Sequence, residues 1–121
     1  MILKDKIYEL KDSKFYAVKN AQKGDIIKIK TEPVWKNITY KDGKSSSKLV
    51  CMISVSRNGV VQGIDKEYSM NKYASDFLKD TYGEDTSDWI DGIAQVVLIP
   101  TPVGKAITLE TAEIDKDSTP F

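Results

Sequence analysis

The sequence predicts a mainly β domain, built as a small five-stranded barrel with one helix between the third and fourth strands. Three observations favour this class. Ile27 and Ile29 alternate with lysines, which is the period-two pattern of a strand with one solvent-facing side. Asn58-Gly59, between two apolar stretches, is the strongest short signal for a β-hairpin. From Met70 onward the apolar period becomes that of an amphipathic helix.

The strands before the hairpin are predicted from short runs of β-branched and aromatic residues. Two such runs, residues 6–10 and 14–18, form a short N-terminal strand extension of the barrel. Residues 25–40 form the first barrel strand, and Pro33 predicts a bend, a bulge or an edge within it. Residues 41–48 are rich in lysine and serine around a glycine, a composition that predicts a loop.

The hairpin joins the second and third barrel strands, which are predicted at residues 49–56 and 60–68. Residues 93–99 are strongly apolar and form the predicted fourth strand. A turn with two prolines and a glycine leads from it into the fifth strand, at residues 105–109. The predicted order is therefore strand, strand, strand, helix, strand, strand.

The helix between the third and fourth strands has recognisable ends as well as an apolar stripe. Ser69 or Asn71 can cap its first turn, and Gly83 suits the left-handed position that often ends a helix. The helical spacing places one set of apolar side chains on the side that faces the barrel. This set is Met70, Tyr73, Ala74, Phe77 and Leu78.

Composition excludes several kinds of chemistry. Without any histidine, neither a Ser-His-Asp triad nor a histidine-containing zinc site is possible. The one cysteine, Cys51, excludes a cysteine-rich zinc site and an intrachain disulfide, which favours a reducing cytoplasm. No apolar run is long enough to span a bilayer, and no signal peptide is evident. Since phosphate-binding loops and nucleophile elbows are also missing, we expect no enzymatic activity, no cofactor and no membrane partner.

One acidic cluster keeps an enzymatic alternative open. Glu84, Asp85, Asp88 and Asp91 lie between the predicted helix and the fourth strand. Metal-dependent nucleases gather carboxylates around magnesium, so a small magnesium-dependent nuclease is one interpretation. A polar loop with solvated acids is the more common explanation of such a run, and no metal site is expected.

Charge is distributed unevenly, although the chain as a whole is neutral. Residues 1–48 carry 12 lysines and 6 acids, whereas residues 49–121 carry 6 basic residues and 12 acids. Asymmetry of this kind is typical of proteins that contact nucleic acid. A mixed, solvated surface is the alternative interpretation.

Lysines and aromatic residues occur together around the first two barrel strands. Binding of single strands needs both, because amines neutralise phosphates and aromatic rings stack on unpaired bases. The barrel topology would place them along one groove. The candidate nucleic-acid-binding residues are Lys28, Lys30, Trp35, Lys36, Tyr40, Lys41, Lys44, Lys48, Arg57 and Tyr68.

Each candidate also has an ordinary structural interpretation. Any single lysine is most simply a solvated surface side chain. Trp35 could pack on the N-terminal strands, and Arg57 could be a solvated residue at the hairpin tip. Tyr73, Phe77 and Trp89 are expected in the core rather than at the binding surface.

The C-terminal residues combine an acidic run with an apolar tip. Asp115 and Asp117 precede Pro120 and Phe121, and the α-carboxylate is on that phenylalanine. A basic-rimmed apolar pocket on another protein could hold the ring and the carboxylate together. This tip resembles that of bacterial and bacteriophage single-stranded DNA-binding proteins. An ordinary frayed terminus is the alternative.

The order of elements is also that of the OB-fold, a five-stranded Greek-key barrel that often binds oligonucleotides. A β-grasp or another small α+β sheet could share much of this order. Residues 1–109 would form an OB-fold-like domain, with its core in 23–109, and residues 110–121 a flexible acidic tail. The resemblance implies a cytoplasmic, non-enzymatic protein of viral, phage or plasmid origin. It would bind single-stranded DNA, or alternatively RNA, in replication or recombination.

The same resemblance implies partners beyond nucleic acid. The tail would recruit replication or repair proteins, and an exposed edge strand could pair two copies of the chain. The main alternative is a protein–protein adaptor on the same barrel, without nucleic-acid binding.

Overall fold

The structure is a computed structural model, which describes residues 13–39, 41–102 and 104–112. Within them, strands form a single curled sheet resembling a half-barrel, accompanied by one α-helix and a short 3-10 turn. The strands are β1 (Phe15–Tyr16), β2 (Ile26–Ile29), β3 (Val34–Thr39), β4 (Ser45–Arg57), β5 (Val60–Met70), β6 (Ile93–Thr101) and β7 (Gly104–Glu110). Helix α1 (Lys72–Tyr82) and the 3-10 turn (Thr86–Trp89) lie between β5 and β6. The prediction of a mainly β domain with one helix is confirmed.

The strand order in this sheet is β1-β5-β4-β2-β6-β7, and β3 pairs with β4 beside β2. Neighbouring strands are antiparallel, except that β1 runs parallel to β5. The long strand β4 organises the sheet, since one of its edges pairs with β5 and the other with β3 and then β2. Pro33 is buried between β2 and β3, at the predicted interruption.

The hairpin between β4 and β5 turns at the predicted residues. Asn58 and Gly59 have φ angles of 55° and 79°, as a tight turn with two left-handed residues requires. Farther along the hairpin, the register shifts by one residue between Ile53 and Val55 and by one more between Val55 and Ser56, which marks a bulged stretch. Because the two shifts add up to two residues, the alternation of inward and outward side chains on β5 is the same on both sides of this stretch.

The β3–β4 hairpin extends beyond the rest of the sheet. Pairing between β4 and β5 begins at Leu49, so residues 45–48 of β4 have β3 as their one strand neighbour in the part of the chain that the structure describes. We call residues 36–48 the ribbon. The prediction of a loop at residues 41–48 is therefore wrong for residues 45–48, which belong to β4. Pairing with β3, including a 2.8 Å hydrogen bond from Ser47 Oγ to Asn37 Oδ1, makes these polar residues a strand.

Helix α1 begins and ends at the predicted caps. The side chain of Asn71 accepts a hydrogen bond from the Ala74 amide, and Gly83 follows the last turn with φ 99°. Ala74 and Leu78 are fully buried against the sheet. Tyr73 was predicted in the core, but 56% of it is exposed. The inward stripe is narrower than the spacing suggested and leaves Tyr73 at its solvent edge.

The core lies on the concave side of the sheet and is closed by the helix. Its fully buried side chains come mainly from β2, β4 and β6, and burying each large aliphatic residue contributes about 1.5–3 kcal/mol. Trp89 is buried as predicted, with its indole N–H donating to the Gly83 carbonyl at 2.7 Å. Tyr16 and Ala21 also belong to this core, which therefore begins before the predicted residue 23.

Strands β1 and β7 end the main path of the curled sheet, and β3 has a further edge that is unpaired within the described residues. A cleft of about 500 Å³ lies between β1 and β7, lined by residues of β1, β5 and β7. Asn71 also lines this cleft, and its side-chain amide donates to the Ile107 carbonyl at 2.6 Å. One side chain thus caps α1 and ties the helix to β7.

Candidate nucleic-acid interface

The ribbon is the most basic element that the structure presents to solvent. It carries Lys36, Lys41, Lys44 and Lys48 and only one acid, Asp42. Residues 36–39 and 45–48 form two strands without a third neighbour among the described residues, which is a marginally stable arrangement on its own. A basic two-stranded ribbon of this kind can adjust its position around a bound polyanion.

Two of the ribbon lysines face each other across the strands. Lys36 is paired in register with Lys48, and like charges directly opposite one another are destabilising. The Lys36 ammonium lies 3.5 Å from a Glu67 carboxylate oxygen, which offsets part of this repulsion. Lys48 contacts no acid within the described residues. A bound phosphate between the two amines would relieve the remaining repulsion.

Trp35 is the most exposed large apolar side chain of the described chain, with 70% of its surface in contact with solvent. It lies on β3 opposite Leu49, immediately before the ribbon. Because the indole ring is not buried, its large apolar surface contributes little to the free energy of folding. Such a ring is well suited to binding a flat partner.

The predicted single groove divides into two faces. Side chains alternate along a strand, so Trp35 points to the side of β3 opposite that of Lys36. The register places Lys36 and Lys48 on the outer face of the sheet, and places Trp35 beside Leu49, which packs on the core. A strand of nucleic acid that contacts both groups must cross β3, whose other edge is unpaired within the described residues.

Lys28 and Lys30 extend the outer face away from the ribbon. Lys28 lies opposite Ser54 in the middle of the sheet, and its ammonium is 3.9 Å from an Asp91 carboxylate oxygen. Lys30 follows β2 and is exposed, without an acidic partner within the described residues. Lys30 is therefore the better phosphate ligand of the two.

Tyr68 was predicted to be exposed at the groove, but it is buried in the core. It is 2% exposed and faces inward opposite Cys51, with its ring edge-on to Tyr16 at 6.0 Å. Burial raises the pKa of both the Tyr68 hydroxyl and the Cys51 thiol, the latter to about 12. Tyr40 and the predicted partner-binding residues Asp115, Asp117, Pro120 and Phe121 lie outside the described residues.

Arg57 is engaged in the protein interior and is not available to bind phosphate. Its guanidinium donates to the two carboxylate oxygens of Asp25 at 2.7 and 2.8 Å, and to the Asn20 carbonyl at 2.8 Å. The Asp25 side chain is completely buried and also accepts a 2.7 Å hydrogen bond from the Tyr16 hydroxyl. These bonds attach the segment before β2 to the end of β4.

The acidic residues after α1 have separate structural partners. Asp85 caps the 3-10 turn by accepting from the Ser87 amide and hydroxyl, and these hydrogen bonds lower the pKa of its carboxyl group. Glu84 lies 3.7 Å from the Lys79 ammonium. The described residues contain no cluster of three or more side chains that could hold a metal ion. The carboxylates are thus not gathered as a magnesium-dependent nuclease would require.

One surface was missed at the sequence level, namely the side of α1 that faces Trp35. Lys72, Ser75, Asp76 and Lys79 recur at the spacing of one helical face, and all four line hollows beside the indole ring. Their spacing is visible in the sequence, but nothing in it shows that the ribbon lies next to this face.

Comparison with known proteins does not assign this chain to a protein family. No known protein family, curated protein or solved structure matches it. Among the described residues, none of the helical structure is of the length and apolar character needed to cross a bilayer. We therefore infer a function from the charge of the ribbon and the exposure of Trp35.

Proposed function

We propose that this protein binds single-stranded DNA without catalysing a reaction. The carrying observation is the ribbon, on which Lys36 directly opposes Lys48 next to a solvent-exposed Trp35. The lysines would neutralise phosphates and release counterions, and the indole would stack on an unpaired base. RNA offers the same two chemical groups and is the alternative ligand.

We also propose that the curled sheet is an OB-fold. The order β5-β4-β2-β6-β7, with the helix between β5 and β6, supports this assignment. In this interpretation, β2 and β3 together are the first barrel strand, interrupted at Pro33. The ribbon is then the extended connection between the first two barrel strands, and β1 is the N-terminal addition.

A third part of the proposal concerns the C-terminal residues. The tip formed by Asp115, Asp117, Pro120 and Phe121 would recruit replication or repair proteins. When DNA is absent, its acids would compete for the basic ribbon. Deleting residues 113–121 should therefore tighten DNA binding and abolish recruitment, and unchanged behaviour in both assays would remove the tail from the proposal. The setting is a host cytoplasm, with the gene on a virus, phage or plasmid.

The test uses fluorescence anisotropy with a labelled oligo-dT strand at several salt concentrations. Lys36→Ala and Lys48→Ala should each weaken binding and reduce the slope of log affinity against log salt by about 0.7. Lys23→Ala is the matched control, because this exposed lysine precedes β2 at the opposite end of β4. Equal behaviour of all three variants would refute the ribbon as the binding element.

A second candidate function is a protein–protein adaptor. The observation that favours it is that three apolar side chains of β5 near the β4–β5 turn are exposed, Val60 and Ile64 for the most part and Val61 in part. An adaptor predicts no salt-sensitive signal from the oligo-dT strand. It also predicts that Ile64→Ser removes partner binding and leaves any association with DNA unchanged.

A further inference from the structure

A trough runs between the ribbon and helix α1. Trp35 and Leu49 form one side of it. Lys72, Ser75 and Lys79, on one face of α1, form the other side. The trough lies on the side of β3 opposite Lys36, and Lys48 borders both the trough and the outer face of the sheet.

The indole of Trp35 lies between two hollows within this trough. The first, of about 250 Å³, extends from Trp35 towards Asn71 and Lys72. The second, of about 340 Å³, extends from Trp35 towards Glu84 and Trp89. The first hollow is smaller than the roughly 300–1,000 Å³ of a typical small-ligand site. A single planar group therefore suits it better than a whole cofactor does.

The two hollows differ in charge. The first is lined by Lys48 and Lys72, which contact no acid within the described residues. The second is lined by Asp76 and by the ion pair of Lys79 with Glu84, at 3.7 Å. A phosphate is favoured in the first hollow and repelled in the second by Asp76, which forms no ion pair within the described residues.

We propose that the first hollow holds one nucleobase of the bound single strand, stacked on Trp35, with the adjoining phosphate held by Lys72 and Lys48. This inference rests on the proposed function. The strand would pass from the outer face of the ribbon over the unpaired edge of β3 and end its path in the trough. Lys48 lies where the strand would pass from the outer face into the trough. It lines the first hollow, and its partner in the β3–β4 register is Lys36.

The experiment compares two 12-nucleotide probes at one salt concentration, oligo-dT and the same backbone without bases. For oligo-dT, Trp35→Ala should lower affinity by about tenfold, as expected when one stacked base is lost. For the base-free probe, the same substitution should change affinity less than twofold. Since most of the indole is solvent-exposed, this truncation leaves the core intact, and Trp35→Phe should restore most of the affinity.

Lys72→Ala tests the phosphate contact. It should reduce the salt slope for oligo-dT by about 0.7, with Asp76→Asn, in the second hollow, as a control without loss of affinity. Quenching of Trp35 emission by oligo-dT gives an independent readout, because the only other tryptophan, Trp89, is buried.

The outcomes separate the two proposals. If Lys36→Ala weakens binding while Trp35→Ala and Lys72→Ala behave like the wild type, the trough is not a base site, stacking on Trp35 is overturned, and only phosphate binding by the ribbon lysines stands. Equal losses of the Trp35→Ala variant on both probes would likewise overturn the stacked base. If the wild type shows no salt-sensitive binding to either probe, both proposals fail.

Discussion

The buried ion pair between Asp25 and Arg57 gives the sharpest prediction about stability. Arg57→Ala would leave a carboxylate with 0% side-chain exposure without its cation, and would remove three hydrogen bonds. Breaking a buried pair in this way costs about 3–5 kcal/mol. Because the Arg57 side chain keeps 18% exposure, water can replace part of the lost contact, and we expect about 3 kcal/mol.

Thermal and urea unfolding, followed by circular dichroism, measure this loss. For a domain of this size, about 3 kcal/mol corresponds to a decrease in Tm of about 10 °C. The double variant Asp25→Asn/Arg57→Ala should recover about 1 kcal/mol or more, because the unpaired buried charge is gone. At a temperature where Arg57→Ala is folded, its affinity for oligo-dT should equal that of the wild type. A decrease in the free energy of unfolding of less than about 1 kcal/mol would refute the structural role of the pair. A loss of DNA affinity would show that Arg57 contributes to DNA binding.

Two further outcomes are expected. Asn71→Ala should cost about 2 kcal/mol in urea unfolding, because it removes both the cap on the Ala74 amide and the bond to the Ile107 carbonyl; an unchanged midpoint would contradict this dual role. Burial raises the pKa of the Cys51 thiol to about 12, so the native thiol should react with a disulfide reagent at pH 8 only as fast as the protein unfolds. The same raised pKa stabilises the fold fully below the unfolded thiol value of about 8.5, and this contribution is lost as pH rises from there towards 12. Rapid labelling of Cys51 under native conditions would show that the thiol is accessible.

Much of the fold was predictable because its signals are local. Alternation identified β2, and the Asn58-Gly59 turn fixed the central hairpin. The caps Asn71 and Gly83 fixed the ends of α1 within one residue. Each of these signals depends on residues only a few positions apart. The elements can therefore be recognised in the sequence without knowing how they pack together.

The errors come from pairings between distant residues. Arg57 looked like a solvated hairpin residue because its partner Asp25 is 32 residues away in the sequence. Tyr68 was misplaced because its inward orientation opposite Cys51 depends on how β5 pairs with β4, which the residues around Tyr68 do not indicate. The serines that begin β4 have loop-like composition, and only their pairing with β3 makes them a strand.

The residues of the ribbon site were predictable from the sequence, whereas the trough beside α1 was not. Composition identified the lysines and Trp35, and alternation along β3 already implied that Trp35 and Lys36 point to opposite sides. The trough was not predictable, because it depends on where α1 lies relative to the ribbon. That position is set by packing of Ala74 and Leu78 into the core, which is a property of the whole fold.

The most direct test of the account is the salt dependence of oligo-dT binding by the unmodified protein. If the four ribbon lysines each contact a phosphate, log affinity should fall with log salt with a slope of about −3, and Trp35 emission should be quenched as the strand binds. A slope near zero, or no binding at low salt, would contradict the claim that the ribbon is a single-strand binding surface.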